Sequence, residues 1–206
     1  MSRAFFVLLL LLLPAGFGLG LVLAPRLASA PPVPAPVCRP SVPEQVAPGD
    51  AEMVLYLGNS LVFDHDWVLP GTLPVNCARQ GMLAARLRVS DLPDVTPQLI
   101  VLGFGTVELM QGKPDAKAFT ETMAGHVAAL RQRFAEAQIL LLGVPLTDDV
   151  AEAQVAGLNA ALSDLARTAG VQFAEAGVLP SYDGVHLTQD GYVEWRARIA
   201  TLVGAR

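Results

Sequence analysis

Met53-Val-Leu-Tyr-Leu-Gly-Asn-Ser60-Leu61 is the stretch on which the fold turns. Five apolar residues in a row are too few for a helix and right for a buried strand, and Gly58-Asn59 then breaks the run. Four further runs share that length and a β-branched or leucine-rich content: Leu73–Asn76, Leu99–Gly103, Ile139–Val144 and Val171–Ala174. Segments with helical spacing separate or follow them, at Met82–Val89, Ala116–Ala135, Ala151–Ala169 and Thr188–Val203. Strands alternating with helices predict an α/β domain whose parallel sheet is covered on both faces. In open sheets of this kind functional groups gather where strands end and lead into the next helix. Ser60 stands at such a point.

Upstream the chain changes character. Ala4–Ala24 carries no charge, follows Arg3 and is long enough for a helix that crosses a bilayer. Ala28-Ser29-Ala30 supplies the small-x-small pattern of a signal cleavage site, although signal cores are usually shorter than this one. A retained inner-membrane anchor and a signal peptide cleaved near Ala30 are both open readings, and both place the body in the periplasm or outside the cell. Residues 25–50 hold eight prolines, the composition of a semi-extended spacer. The expected organisation is an anchor or signal over 1–24, a Pro-rich linker over 25–50 and one domain over 51–206. Cys38 lies in the linker and Cys77 in the body, and an oxidising compartment would let them pair.

Much of the 52% hydrophobic content sits in the leader, so the remainder reads as a globular body. The formal net charge of −5 argues against nucleic acid, whose phosphates need a basic face. No Gly-rich phosphate loop and no Cys/His metal set occurs, so neither cofactor nor metal is expected. Asp64-His65-Asp66 has metal-ligand residue types, but neighbours in sequence rarely converge on one ion; His65 is instead a candidate for the substrate cleft.

Two motifs carry chemistry. Gly58-Asn59-Ser60-Leu61 puts a hydroxyl at a strand end, although Asn-Ser alone also suits a turn or a helix cap. Tyr182-Asp183-Gly-Val-His186-Leu-Thr188 puts a carboxylate and an imidazole three positions apart before a terminal helix. A serine nucleophile needs a base to take its proton, and the base needs a carboxylate to orient it. Alone, this second motif also reads as a surface turn with Thr188 capping the helix.

Together the motifs resemble the SGNH/GDSL hydrolases. Gly58-Asn59-Ser60-Leu61 is similar to the first block of that family and Asp183-Gly-Val-His186-Leu to the last. Val75-Asn-Cys-Ala-Arg-Gln-Gly81 resembles the second block, and Leu99-Ile-Val-Leu-Gly-Phe-Gly105-Thr-Val107-Glu108-Leu the third. The resemblance covers about Met53 to Val203. It implies a three-layer α/β/α domain with a flavodoxin-like five-stranded parallel sheet, a catalytic triad of Ser60, Asp183 and His186, and an oxyanion hole from the Ser60 and Gly81 backbone N–H groups. Val107 departs from it, standing where the family has an asparagine whose amide faces the oxyanion; loss of one such donor costs about 10²–10³ in rate. Trp67 and Phe104 flank the first and third blocks, where they face an acyl group or sugar ring, or else pack in the core. His126, inside a long helical segment, reads as a surface residue.

The function expected is an extracytoplasmic ester hydrolase or O-acyl(acetyl)transferase working through an acyl-Ser60 intermediate on an acylated carbohydrate or exopolysaccharide. The alternative is a catalytically impaired member that binds glycan or scaffolds a membrane-associated polysaccharide secretion complex, and Val107 is its main support.

Overall fold

The computed structural model describes residues 38–40, 51–65, 67–112 and 115–204. The hydrophobic helix expected over 1–24, most of the linker, and Asp66 lie outside the described residues. Among those described, no helix is long and apolar enough to cross a membrane.

The strands are β1 (Arg39–Pro40), β2 (Glu52–Gly58), β3 (Thr72–Asn76), β4 (Leu99–Gly103), β5 (Gln138–Leu142) and β6 (Gln172–Ala174). The helices are α1 (Ser60–Phe63), α2 (Thr106–Met110), α3 (Ala116–Arg133), α4 (Glu152–Ala169) and α5 (Gln189–Gly204). The sheet order is β1-β3-β2-β4-β5-β6. Strands β3-β2-β4-β5-β6 are all parallel, the expected five-stranded arrangement with the doubly wound strand order.

The two-residue periodicity of the strands divides the core into two layers. Leu55 and Leu57 of β2, Ile100 and Leu102 of β4 and Leu141 of β5 pack under α3 and α4. Val54 and Tyr56, Val101, and Leu140 and Leu142 face the other way, against α1, Trp67 and the Tyr192, Trp195 and Ile199 stripe of α5. Every β4 residue is buried, as a central parallel strand covered on both sides should be.

Two expectations are corrected. Met82–Val89 is not a helix but leads into two 3-10 turns, Ala84–Arg86 and Val89–Asp91. The reason lies in contacts with distant elements: the Ala84 N–H donates to Glu108 Oε1 (2.7 Å), and the Ala84 carbonyl accepts from His126 Nε2 (2.8 Å) as well as from the Leu87 N–H (3.0 Å), so the segment is held as a tight 3-10 turn against its neighbours and does not continue as a helix. His126 is accordingly half-buried and tied to a neighbour, not a surface side chain. The second correction concerns the linker. Arg39–Pro40 adds an antiparallel edge strand to β3, in register with Asn76 and Val75. Cys38 is disulfide-bonded to Cys77, and the Arg39 guanidinium sits 4.6 Å above the Phe63 ring of α1. Proline is tolerated because this strand is at the sheet edge.

Candidate functional site

Ser60 is placed by two glycines and an asparagine. Gly58 and Gly103 pair at the ends of β2 and β4, and a Cβ on either would overlap Val62, so only glycine lets α1 turn back over the sheet. Asn59 is buried; its Oδ1 accepts the Leu61 N–H (3.0 Å) and its own N–H donates to the Gly103 carbonyl (3.1 Å). It caps α1 so that half-buried Ser60 is the first helical residue. A first-turn N–H has no intrahelical acceptor, which leaves the Ser60 amide available to an anion.

The loop after β3 is knitted to this turn. Asn76 Nδ2 donates to the Val62 carbonyl (2.9 Å), the Arg79 N–H to the Gly58 carbonyl (3.0 Å), and Gln80 Nε2 to Asp64 Oδ1 (3.1 Å). The disulfide at Cys77 pins the start of the same loop. Gly81 follows, exposed and with φ +62°, a conformation that favours glycine. Glu108 holds the third side of the site: besides the Ala84 N–H it accepts the Gly105 N–H on Oε2 (3.0 Å), tying the turn before α2 to the segment after Gly81. Half-buried Val107 is the second residue of α2.

The loop between β6 and α5 brings the other two groups across 126 positions of sequence: His186 Nε2 is 3.1 Å from Ser60 Oγ. His186 Nδ1 is 2.7 Å from Asp183 Oδ2. Asp183 Oδ1 accepts the N–H groups of Val185 (3.0 Å) and His186 (2.6 Å), which closes the loop on itself. The His186 side-chain bond, then the His186 backbone bond, lower the Asp183 pKa from 3.8 to about 2 against the opposing effect of desolvation. Asp183 is therefore ionised and accepts only, so Nδ1 carries the imidazole proton and the lone pair on Nε2 faces the serine hydroxyl. Thr188 also caps α5, accepting the Gly191 N–H on Oγ1 (3.2 Å), so the turn-and-cap reading of this segment and the triad reading hold together.

Trp67 and Phe104 do not line a cleft. They are 1% and 2% exposed and belong to the core on opposite faces of the sheet. Half-buried His65 stacks on Tyr192 (4.4 Å between centroids, 7° between planes) and meets Trp67 edge-on (5.3 Å). No group of His, Cys, Asp and Glu among the described residues could hold a metal. Two residues escaped the sequence reading. Glu108 was legible as a glutamate three positions into a helix, where its carboxylate can accept the N–H of the N-cap residue, here Gly105. Tyr182, which stacks on His186, was legible only as an aromatic residue in a polar loop.

Fold and site together define a class: a doubly wound α/β domain presenting a serine, a histidine and an aspartate in hydrogen-bonded series at the carboxyl edge of its sheet. Residues 57–193, more than half of the chain, match the GDSL-like lipase/acylhydrolase family, and the chain belongs to it. It is an enzyme of esterase or acylhydrolase type. Among curated proteins none matches by sequence. Solved structures share the fold. A putative acylhydrolase from Bacteroides fragilis has TM-score 0.61 at 19% identity, over 75% of this chain and 87% of its own. A carbohydrate esterase family 3 protein from Talaromyces cellulolyticus has TM-score 0.62 at 16% identity, over 74% and 96%. A Corynascus family 2 carbohydrate esterase carrying a carbohydrate-binding domain has TM-score 0.63 at 17% identity, over 80% and 68%.

Proposed function

We propose that the protein cleaves or transfers an O-acyl group of a carbohydrate through an acyl-Ser60 intermediate. The observation that carries this reading is the Asp183–His186–Ser60 series of bonds. Ser60 Oγ attacks the ester carbonyl carbon as its proton passes to His186 Nε2, and Asp183 stabilises the imidazolium that forms. The Ser60 and Gly81 N–H groups bind the oxyanion. His186 then returns the proton to the departing sugar oxygen as the ester C–O bond breaks. Water or an acceptor hydroxyl gives its proton to His186, attacks the acyl carbon and restores Ser60. The likeness to two carbohydrate esterases favours a sugar ester as substrate. A fluorophosphonate probe tests the reading: it should label Ser60 in the folded protein, and an unlabelled Ser60 in a protein that turns over no ester would favour the glycan-binding or scaffolding alternative.

Val107 makes a separate prediction. Val107→Asn should raise kcat on p-nitrophenyl acetate by up to about 10²-fold, because a carboxamide there adds a third oxyanion donor. In a Ser60→Ala background the same change should do nothing. An amide that misses the oxyanion would instead cost about 1–3 kcal/mol of stability, so thermal unfolding is measured beside the rate. A well-folded variant with unaltered turnover would show that the donor role is already filled.

The body is proposed to work outside the cytoplasm, held at the inner membrane by residues 1–24 and close to a polysaccharide secretion complex. The Cys38–Cys77 bridge supports export, since such bridges persist in oxidising compartments. Intact mass of membrane-extracted protein should correspond to a chain beginning at Met1; a mature start at Pro31 would replace the anchor with a cleaved signal.

A further inference from the structure

We propose that Tyr182 is the stacking platform for the sugar ring that carries the scissile ester. This rests on the acyl-Ser60 reading and adds a recognition subsite to it. Tyr182 is 70% exposed, unusual for a large ring, and it directly precedes Asp183. One face lies against His186, with centroids 6.0 Å apart and 22° between planes. Given that exposure, much of the remaining ring is open to solvent, on a residue that packs against the imidazole bonded to Ser60. The ring stands on a rigid base: the Tyr182 N–H donates to the His186 carbonyl (2.9 Å), and Ser181 bridges to Leu187.

The surroundings suit a hydroxyl-rich ligand better than an acyl chain. Ser181 Oγ donates to Asp148 Oδ2 (3.3 Å), and the Asp149 N–H donates to the Gly184 carbonyl (3.0 Å), so the loop after β5 brings two exposed carboxylates alongside the Tyr182 loop. A Cβ on Gly184 would overlap the Asp149 carboxylate, so this approach is close and depends on glycine, which also has φ +87° here. Ionised carboxylates accept hydrogen bonds only, and sugar hydroxyls donate them. A pyranose ring pairs that need with an apolar C–H face, which an aromatic ring covers. A fatty acyl chain would gain nothing from the carboxylates.

The test compares methyl 6-O-acetyl-glucoside with ethyl acetate, since both release an aliphatic alcohol and only one presents a ring. Acetate release by the full chain should show a higher kcat/KM for the glucoside. In Tyr182→Ala that preference should fall about three- to tenfold, mainly through KM, the size expected for one lost ring contact. Tyr182→Trp should restore it. An equal loss on both esters would overturn the proposal, because the ring would then act on His186 and not on the sugar. A wild-type protein that cleaves ethyl acetate but does not favour the glucoside would overturn it too, while leaving the acyl-Ser60 reading intact. Ligand-observed NMR separates the two ideas when turnover is low: Ser60→Ala should broaden the glucoside signals and Ser60→Ala/Tyr182→Ala should not. Absence of broadening with Ser60→Ala would overturn the platform whatever the probe shows at Ser60.

Discussion

Ser60→Ala is expected to lower kcat for ester cleavage by about 10⁴–10⁶ while leaving the fold intact. Removing the serine or the histidine of a serine-protease triad costs on the order of 10⁶ in kcat, and about 10³–10⁴ over water survives through the oxyanion hole and binding. The lower end of the range allows for the donor already missing at Val107. The fold should tolerate the change because α1 is capped by Asn59, and Ser60 Oγ makes its hydrogen bond to His186 alone among the described residues. His186→Ala should cost about as much, and the double variant little more, because the two groups act as one unit. Thermal unfolding, fluorophosphonate labelling and p-nitrophenyl acetate turnover check this. A Ser60→Ala protein that keeps most of its activity would remove Ser60 as nucleophile.

Asp183→Asn should lower kcat by about 10⁴, some 5 kcal/mol in the barrier. The geometry explains why so small a change is expected to matter. Asparagine Oδ1 can still accept the Val185 and His186 N–H groups, so the loop keeps its shape. Its Nδ2 then faces His186 Nδ1 and donates where the carboxylate accepted. That forces the imidazole proton onto Nε2, which can no longer take the proton of Ser60. The charge also bears on acid tolerance. Because the folded Asp183 pKa is depressed to about 2, its bonds stabilise the loop fully above the ordinary 3.8 and lose that contribution as pH falls toward 2. Ionisation of Asp183 should therefore not limit the rate at any pH above about 4. An Asp183→Asn protein with an undiminished rate would mean that another carboxylate orients His186, or that His186 is not the base.

Most of the fold was legible in local pattern. The five parallel strands fall within two residues of the apolar runs that predict them, and α3, α4 and α5 follow their helical spacing, because burial on a covered sheet imposes continuous apolar runs and amphipathic helices write their period into sequence. Order and spacing of the motifs were enough to pair Ser60 with Asp183 and His186, because each motif is short and sits on a strand end or a tight loop.

What needed the tertiary structure was every feature set by contact between distant segments. Trp67 and Phe104 flank motifs in sequence yet are sealed in the two core layers, since adjacency along the chain says nothing of which way a side chain turns. The helical spacing of Met82–Val89 lost to hydrogen bonds that tie Ala84 to other elements, its N–H donating to Glu108 on α2 and its carbonyl accepting from His126 on α3. Arg39–Pro40, read as linker, became a strand because β3 offered an unpaired edge and Cys77 a thiol beside it. Nor does composition reveal that the Tyr182 ring stays in solvent against His186 while Tyr192, of the same chemistry, is buried on the sheet-facing side of α5. The amino-acid sequence by itself determined the strands, the long helices and the reactive groups; packing between them decided pairing, burial and exposure, because those energies depend on surfaces that meet only once the sheet has closed its two layers.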